Sequence, residues 1–191
     1  MIGVTYVDLA GIARMKPMVS SEIDSILDKG ITTSRANLAL NTLGLTPNST
    51  IDISQGDACI IPDLETFVIP NFTPEVGRFI GNVYEKDGTV SPLCTRRVYQ
   101  RMLEAAKLRD YHFFIGFESE FHLVNKQGSP IAPVDQNPVH SQEGYNLYHS
   151  LISDYITALK SMQVAPIKAH VEGGRSQLEI DVAYEEGLRA A

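Results

Sequence analysis

Two segments of the sequence alternate between polar and apolar residues, and this alternation constrains the fold more than any other feature. The polar positions of the first segment are Glu118, Glu120 and His122, between Phe117, Phe121 and Leu123. Those of the second are Gln177, Glu179 and Asp181, between Leu178, Ile180 and Val182. Because successive strand side chains point to opposite faces, each segment predicts a strand with one polar face and one face turned into a core.

Apolar residues at helical spacing predict two helices beside these strands. The first helix carries Val98, Tyr99, Met102, Leu103 and Ala106 on one face. The second is the clearer one, with Tyr145, Tyr148, Ile152, Tyr155, Leu159 and Met162 at intervals of three or four. With strands predicted over 112–124, about 166–171 and 177–182, and a loop over 125–144, strands and helices alternate here. This order predicts an α/β sheet in the second half of the chain.

The first 90 or so residues instead favour short strands and turns. Strands are predicted at 4–9, 14–19, 58–62, 66–69 and 79–84, with a turn at Pro62-Asp63. Residues 21–27 have helical spacing, and residues 28–57 are assigned to loops with one short helix. The chain as a whole is therefore expected to be α+β.

Composition excludes several classes of protein. The 191 residues hold 16 Lys and Arg against 23 Asp and Glu, a net charge of −7, which argues against a nucleic-acid partner. No segment approaches the roughly 18 apolar residues of a membrane span, and the N-terminus lacks the features of a signal peptide. Cys59 and Cys94 stand singly, outside any metal-binding spacing, and two cysteines leave one disulfide possible. We expect a cytoplasmic protein without a membrane partner.

The acidic strand faces allow two interpretations. Glu172 precedes a Gly-Gly bend that can fold it back beside Glu179, and carboxylates from neighbouring strands suit a hard cation such as Mg²⁺ or Mn²⁺. The alternative is the solvated face of a half-buried sheet, which spacing alone favours because it is the commoner arrangement. On the same reasoning His122 is expected to lie at the surface or to support a ligand without being one, and Arg175 is expected to be a surface or salt-bridging residue.

Five short motifs, in order, carry a resemblance to a known family. They are Asp8-x-x-Gly11-x-x-Arg14-x-Lys16; Pro62-Asp63-x-x-Thr66; Asp87-Gly88 followed by Pro92 and Arg96 or Arg97; Gly116-x-Glu118-x-Glu120-Phe121-x-Leu123; and Glu172 to Glu179 with Gln177 between them. Together they resemble the glutamine synthetase family, over nearly the whole chain. Ser176 departs from the pattern, because the family commonly has a glycine there, and Arg175 replaces a common proline.

The resemblance implies a β-grasp N-terminal domain over 1–94, followed over 95–191 by the first part of the catalytic α/β domain. It implies an ATP-dependent carbon–nitrogen ligase that joins the γ-carboxylate of glutamate to ammonia through γ-glutamyl phosphate, with Mg²⁺ or Mn²⁺ as cofactor and ATP as co-substrate. Glu120, Glu172 and Glu179 match the ligands of a first metal, and Glu118 matches one ligand of a second.

The resemblance further implies a homo-oligomeric ring, typically of two stacked layers. The family's catalytic residues, and its ATP-binding and most of its glutamate-binding segments, would lie after Ala191, so residues 1–191 alone are expected to be inactive. Two alternatives stay open: a γ-glutamylpolyamine synthetase that takes an amine such as putrescine, and a non-catalytic module of the same family.

Overall fold

The computed structural model describes residues 1–45, 56–125 and 133–190, which divide into two compact units, Met1–Tyr111 and His112–Ala191. In the first unit the elements are β1 (Ile2–Val7), β2 (Ala13–Met18), α1 (Ile23–Lys29), β3 (Ile31–Ser34), β4 (Asp57–Val68), β5 (Gly77–Tyr84) and α2 (Thr95–Lys107). Short 3-10 turns occupy Ser20–Glu22 and Arg35–Leu38. The predicted helix near residue 98 is confirmed as α2. Part of the predicted loop, residues 46–55, lies outside the described residues.

The five strands of the first unit form one sheet in the order β2-β1-β5-β4-β3. Neighbouring strands are antiparallel except β1 and β5, which are parallel. The sheet packs on a core that includes Val4, Ile26, Leu38, Ile60 and Val83. The prediction of a strand-rich first half is therefore confirmed, although β3 lies within a stretch predicted to be loop.

The turn from β1 to β2 is organised by Asp8. Its carboxylate accepts hydrogen bonds from the N–H groups of Ala10 and Ile12, both at 2.9 Å, and from Nε of Arg14 at 2.8 Å. Burial alone would raise the pKa of Asp8, but the bonds from Ile12, Arg14 and Ala10 outweigh it and lower the pKa. Gly11 adopts φ 79°, which favours glycine. The first motif is thus a hydrogen-bonded turn held by an ion pair.

The second motif lies in β4, which is one strand where two strands and a turn were predicted. The pairing of β4 with β5 shifts register between Asp63 and Val68. Within the shift the Thr66 hydroxyl donates to the carbonyl of Asp63 at 2.7 Å and accepts from the N–H of Ile80 at 2.8 Å. The motif therefore encodes an irregularity inside a strand.

Asp63 also joins β4 to α2. Its carboxylate accepts a hydrogen bond of 2.8 Å from Arg96, whose guanidinium also donates to Asn82 at 3.2 Å. The exposed fractions of the two charged side chains are 26% for Asp63 and 16% for Arg96. Two of the sequence motifs thus meet in one partly buried ion pair.

The second unit contains β6 (Phe114–Ile115), β7 (Glu118–His122), α3 (Gln142–Ser161), β8 (Pro166–Val171), β9 (Gln177–Val182), β10 (Glu185–Glu186) and α4 (Gly187–Ala190). Strands β7, β9 and β8 form an antiparallel sheet with β9 in the centre, and β6 pairs with β10. The predictions of α3, β8 and β9 are confirmed. Residues 126–132 of the predicted loop lie outside the described residues.

One face of the three-stranded sheet packs against α3. Tyr148 and Ile152 of the helix are buried against Val171 and Leu178 of the strands. The helix begins at a capped end, because the hydroxyl of Ser141 accepts the N–H of Gly144 at 3.1 Å. This packing turns the other face of the sheet away from the core.

The single strand predicted over 112–124 is wrong, because Gly116 and Phe117 separate β6 from β7 and these strands join different sheets. Phe117 is 48% exposed and is absent from the core that was predicted for it. Cys59 and Cys94 are both free thiols. Among the described residues, no helix is long and apolar enough to cross a membrane.

Candidate metal centre

The register of the three-stranded sheet aligns the acidic residues in rows across the strands. Glu118 of β7 pairs with Asp181 of β9, and Glu120 pairs with Glu179. On the other side of β9, Lys168 pairs with Asp181 and His170 pairs with Glu179. Because paired residues of neighbouring strands lie on the same face, all of these side chains share the face opposite α3.

We call the carboxylates of this side the acidic face, which consists of Glu118, Glu120, Glu172, Glu179 and Asp181. Oxygen atoms of Glu118, Glu179 and Asp181 all lie within 4.8 Å of one another. Nε2 of His170 lies 3.8 Å from a carboxylate oxygen of Glu172 and 3.8 Å from one of Glu179. The structure therefore brings the four predicted site residues together and adds Asp181.

The central strand buries its acids, and this burial contradicts the interpretation of a simply solvated face. Only 9% of the Glu179 side chain and 8% of the Asp181 side chain are exposed. Burial raises the pKa of Glu179 to about 7, with contributions from a hydrogen bond to Asp181 and from the charges of Asp181, Glu120 and Glu172. Close carboxylates at low solvation share protons or take up cations.

Asp181 is held in the ionised form by a neighbouring lysine. Nζ of Lys168 donates to Oδ2 of Asp181 at 2.7 Å and lowers the pKa of Asp181, although burial opposes that shift. The other oxygen, Oδ1, is buried and has no hydrogen-bond donor among the described residues when Glu179 is also ionised. A buried carboxylate oxygen without a donor is an unsatisfied acceptor that a cation can satisfy.

The loop between Glu172 and Glu179 is folded by Gln177. Its Nε2 donates to Glu120 at 2.6 Å, and its Oε1 accepts the N–H of Gly174 at 2.7 Å. A Cβ atom at Gly174 would lie 2.5 Å from Cε1 of His122 and 2.6 Å from Oε1 of Gln177, so a larger residue would displace these side chains. Gln177, for which no role was predicted, thus ties the loop to the carboxylate of Glu120.

Ser176 occupies the position where the family motif commonly has glycine. The structure gives it φ 54°, a left-handed conformation that favours glycine. The side chain is buried, and its hydroxyl donates to Oδ2 of Asp135 at 2.8 Å and accepts the N–H of Asp135 at 2.8 Å. These bonds anchor a conformation that the backbone of a serine would otherwise disfavour.

A second group of potential ligands lies beside Glu172. Ligand atoms of His140, His170 and Glu172 come within 4.8 Å of one another, and the two imidazole rings are 4.8 Å apart. His122 is exposed as predicted, with Nδ1 3.1 Å from the carbonyl oxygen of Arg175, which is exposed too. The two histidines of this group were not singled out in the sequence.

Asp181 and Lys168 were missed for different reasons. The alternation of β9 places Asp181 on the same face as Glu179, but Asp181 lies outside the motif of Glu172 to Glu179 and is therefore not among the predicted metal ligands. Lys168, His170 and Glu172 alternate along β8 and its end, but this alternation does not show which residues of β9 lie beside them. The pairing of β8 with β9 is what places Lys168 opposite Asp181. Pairing between distant strands decides such neighbours, and local spacing does not.

Comparison with known proteins places these features in a family. Residues 92–191 match the model of the glutamine synthetase catalytic domain. The glutamate–methylamine ligase of Methyloversatilis universalis is 24% identical over 190 residues, covering 96% of this chain and 41% of that protein. The glutamate–isopropylamine ligase of a Pseudomonas species is 29% identical over 150 residues, covering 73% and 32%. The glutamine synthetase of Clostridium saccharobutylicum is 27% identical over 194 residues, covering 95% and 43%.

Solved structures agree on the fold. A glutamine synthase homolog superposes with a TM-score of 0.86 at 23% identity, covering 99% of this chain and 44% of the other. A GmaS–ADP complex gives a TM-score of 0.84 at 22% identity, covering 99% and 42%. The chain thus spans less than half the length of these relatives. Since the family model matches more than half of the 191 residues, the chain belongs to the glutamine synthetase family.

Proposed function

We propose that residues 1–191 supply the metal-binding carboxylates of an ATP-dependent ligase that joins the γ-carboxylate of glutamate to ammonia. The observation that carries this proposal is the convergence of Glu118, Glu120, Glu172 and Glu179 on one face of the sheet. Membership of the glutamine synthetase family supports the reaction.

The donor set fits a hard divalent cation. All the donors of the acidic face are carboxylate oxygens, which Mg²⁺ and Mn²⁺ prefer. The buried Oδ1 of Asp181, which has no hydrogen-bond donor among the described residues, adds an unsatisfied acceptor beside them. Glu120, Glu172 and Glu179 would hold a first metal, and Glu118 would contribute to a second. When bound, such cations neutralise charge on phosphate groups and on a substrate carboxylate.

Other residues of the chain shape this site. Gln177 orients Glu120 and fixes the loop through Gly174. Ser176 anchors the same loop on Asp135. Because a carboxylate that is already oriented loses less entropy when it binds a cation, these bonds prepare the acidic face for metal.

A second class of amine is a candidate acceptor of the glutamyl group. Two relatives are named for methylamine and isopropylamine. These names favour an alkylamine as the alternative to ammonia, and the sequence resemblance adds a polyamine such as putrescine. The chemistry of activation is the same in both cases, so the acidic face serves either one.

The organisation of the whole protein is proposed on the same basis. The mixed sheet, with β1 parallel to β5 and α1 between β2 and β3, supports a β-grasp domain over 1–94. Residues 95–191 then begin the catalytic domain, which agrees with a family match from residue 92. A homo-oligomeric ring follows from the family, and light scattering would measure its mass. The free thiols of Cys59 and Cys94 support a cytoplasmic location.

Metal binding is tested on the 191-residue chain by calorimetric titration with Mn²⁺. We expect saturable binding that is strongly weakened in Glu120→Gln and Glu179→Gln. Glu143→Gln, which removes an exposed carboxylate from the first turn of α3, is the matched control and should leave the affinity unchanged. Equal binding by all of these chains would refute the metal centre.

The reaction is tested in a polypeptide that continues residues 1–191 to the length of the relatives. ADP release from ATP and glutamate is measured with ammonium, methylamine, isopropylamine or putrescine. The preferred amine gives the largest kcat/KM. Saturable Mn²⁺ binding without release of ADP in the presence of any of these amines would instead favour a non-catalytic module.

A further inference from the structure

Lys168 places a positive charge within the acidic face. The pairing register puts it in one row with Asp181 and Glu118, across the strands β8, β9 and β7. Its ammonium group lies 2.7 Å from Oδ2 of Asp181, and 58% of the lysine side chain is exposed, against 8% of the aspartate side chain. An exposed side chain from β8 thus reaches a buried carboxylate on the central strand.

The influence of Lys168 extends beyond its hydrogen-bonded partner. The pKa of Lys168 is raised by the hydrogen bond to Asp181, with burial opposing, and further by the charges of Asp181, Glu179 and Glu118. The ammonium group is therefore stabilised by carboxylates on both β9 and β7. The same carboxylates include those proposed as metal ligands.

The carboxylates need compensation in the metal-free chain, because like charges at these distances repel one another. A covalently attached ammonium group supplies one positive charge at no cost in translational entropy. A divalent cation that binds beside it meets that charge and is repelled. The lysine should therefore stabilise the metal-free chain and weaken the uptake of metal.

We propose that Lys168 is the built-in counter-cation of the acidic face: it holds Asp181 in place and sets how tightly this face binds a divalent cation. Lys168 is a positioning residue, since it acts through Asp181. The inference rests on the proposed function in taking the carboxylates as metal ligands. It goes further in assigning the control of affinity to a residue outside the family motif.

The test compares Lys168→Met and Lys168→Arg with the unaltered chain by Mn²⁺ calorimetry and by thermal unfolding without metal. We expect Lys168→Met to bind Mn²⁺ several-fold more tightly and to unfold at a lower temperature without metal. Lys168→Arg should resemble the unaltered chain in both measurements. Lys160→Met removes the same charge from an exposed position of α3 and should change neither. Lys168→Gln replaces Lys168→Met if the latter does not fold.

Equal or weaker Mn²⁺ binding by Lys168→Met would overturn the proposal about Lys168. In that case Mn²⁺ binding by the unaltered chain would still support the proposed metal centre. If none of the chains binds Mn²⁺, the proposed metal centre fails, and the stability of the metal-free chain then decides the role of Lys168. In that case Asp181→Asn should restore the stability that Lys168→Met loses. Failure to restore it would overturn the counter-cation role.

Discussion

The left-handed backbone of Ser176 makes a quantitative prediction for two substitutions. Ser176→Ala loses both hydroxyl bonds to Asp135 and keeps the disfavoured φ of 54°. At about 1 kcal/mol for each buried hydrogen bond, the expected loss of unfolding free energy is about 2 kcal/mol. Ser176→Gly loses the same bonds but relieves about 1 kcal/mol of backbone strain, so its expected loss is about 1 kcal/mol.

The order of stability is therefore serine, then glycine, then alanine. It is measured by urea unfolding, followed through tyrosine fluorescence because the chain has no tryptophan. Ser153, exposed on α3, is the matched control. There the order of the substituted residues should reverse, since glycine in a helix interior is about 1 kcal/mol less favourable than alanine.

Two outcomes would refute the reasoning at Ser176. If alanine is as stable as glycine, the residue does not hold a left-handed conformation in solution. If glycine is as stable as serine, the bonds to Asp135 contribute only about 1 kcal/mol, half of the expected amount, and a glycine variant more stable than serine by about 1 kcal/mol would show that they contribute nothing. In the first case the loop between Glu172 and Glu179 would have to follow a different path.

Three further predictions concern charged groups. In a double-mutant cycle, Asp63→Asn and Arg96→Met should couple by about 1–3 kcal/mol in urea unfolding, because their ion pair is partly buried. The more exposed pair of Arg97 and Glu104 should couple by less than about 1 kcal/mol. Equal coupling energies would contradict the stabilising role of the partly buried pair. Asp8→Asn should lower the unfolding free energy by about 1–3 kcal/mol at neutral pH. Because the pKa of Asp8 is lowered on folding, this difference should vanish as the pH falls below the ordinary value of 3.8. A difference that persists in strong acid would contradict the lowered pKa of Asp8. Because the pKa of Glu179 rises from 4.5 to about 7 on folding, the metal-free chain should lose stability as the pH rises between these values. Glu179→Gln should abolish that loss and melt at a higher temperature above pH 7; an unchanged pH profile would refute the shift.

Local periodicity was sufficient to predict α3 and β9. The apolar stripe of α3 and the strict alternation of β9 each extend over enough residues to identify the element and its buried side. The strand face shared by Glu118 and Glu120 followed from the same rule. What periodicity cannot supply is the pairing register, and the register alone places Lys168 beside Asp181.

The β4 strand shows why a turn signal can mislead. Proline lacks the N–H that a strand donates, so Pro62 predicted an interruption. In the part of the chain that the structure describes, β3 pairs with β4 only from Asp57 to Ile60, so Pro62 has a neighbouring strand on one side only. Proline is tolerated at such locally unpaired positions, and the strand continues past it.

The alternation of β9 has a consequence for how this part of the chain tolerates change. The same six residues supply apolar side chains to one face and polar side chains, two of them acidic, to the other, and the two sets differ only in odd or even position. Insertion or deletion of a single residue within the strand would exchange the two sets, placing carboxylates against α3 and leucine among the ligands. Variation in length should therefore be tolerated only in the turn of residues 173–176. A library of one-residue insertions scanned from 170 to 183 should show folded survivors clustered in that turn.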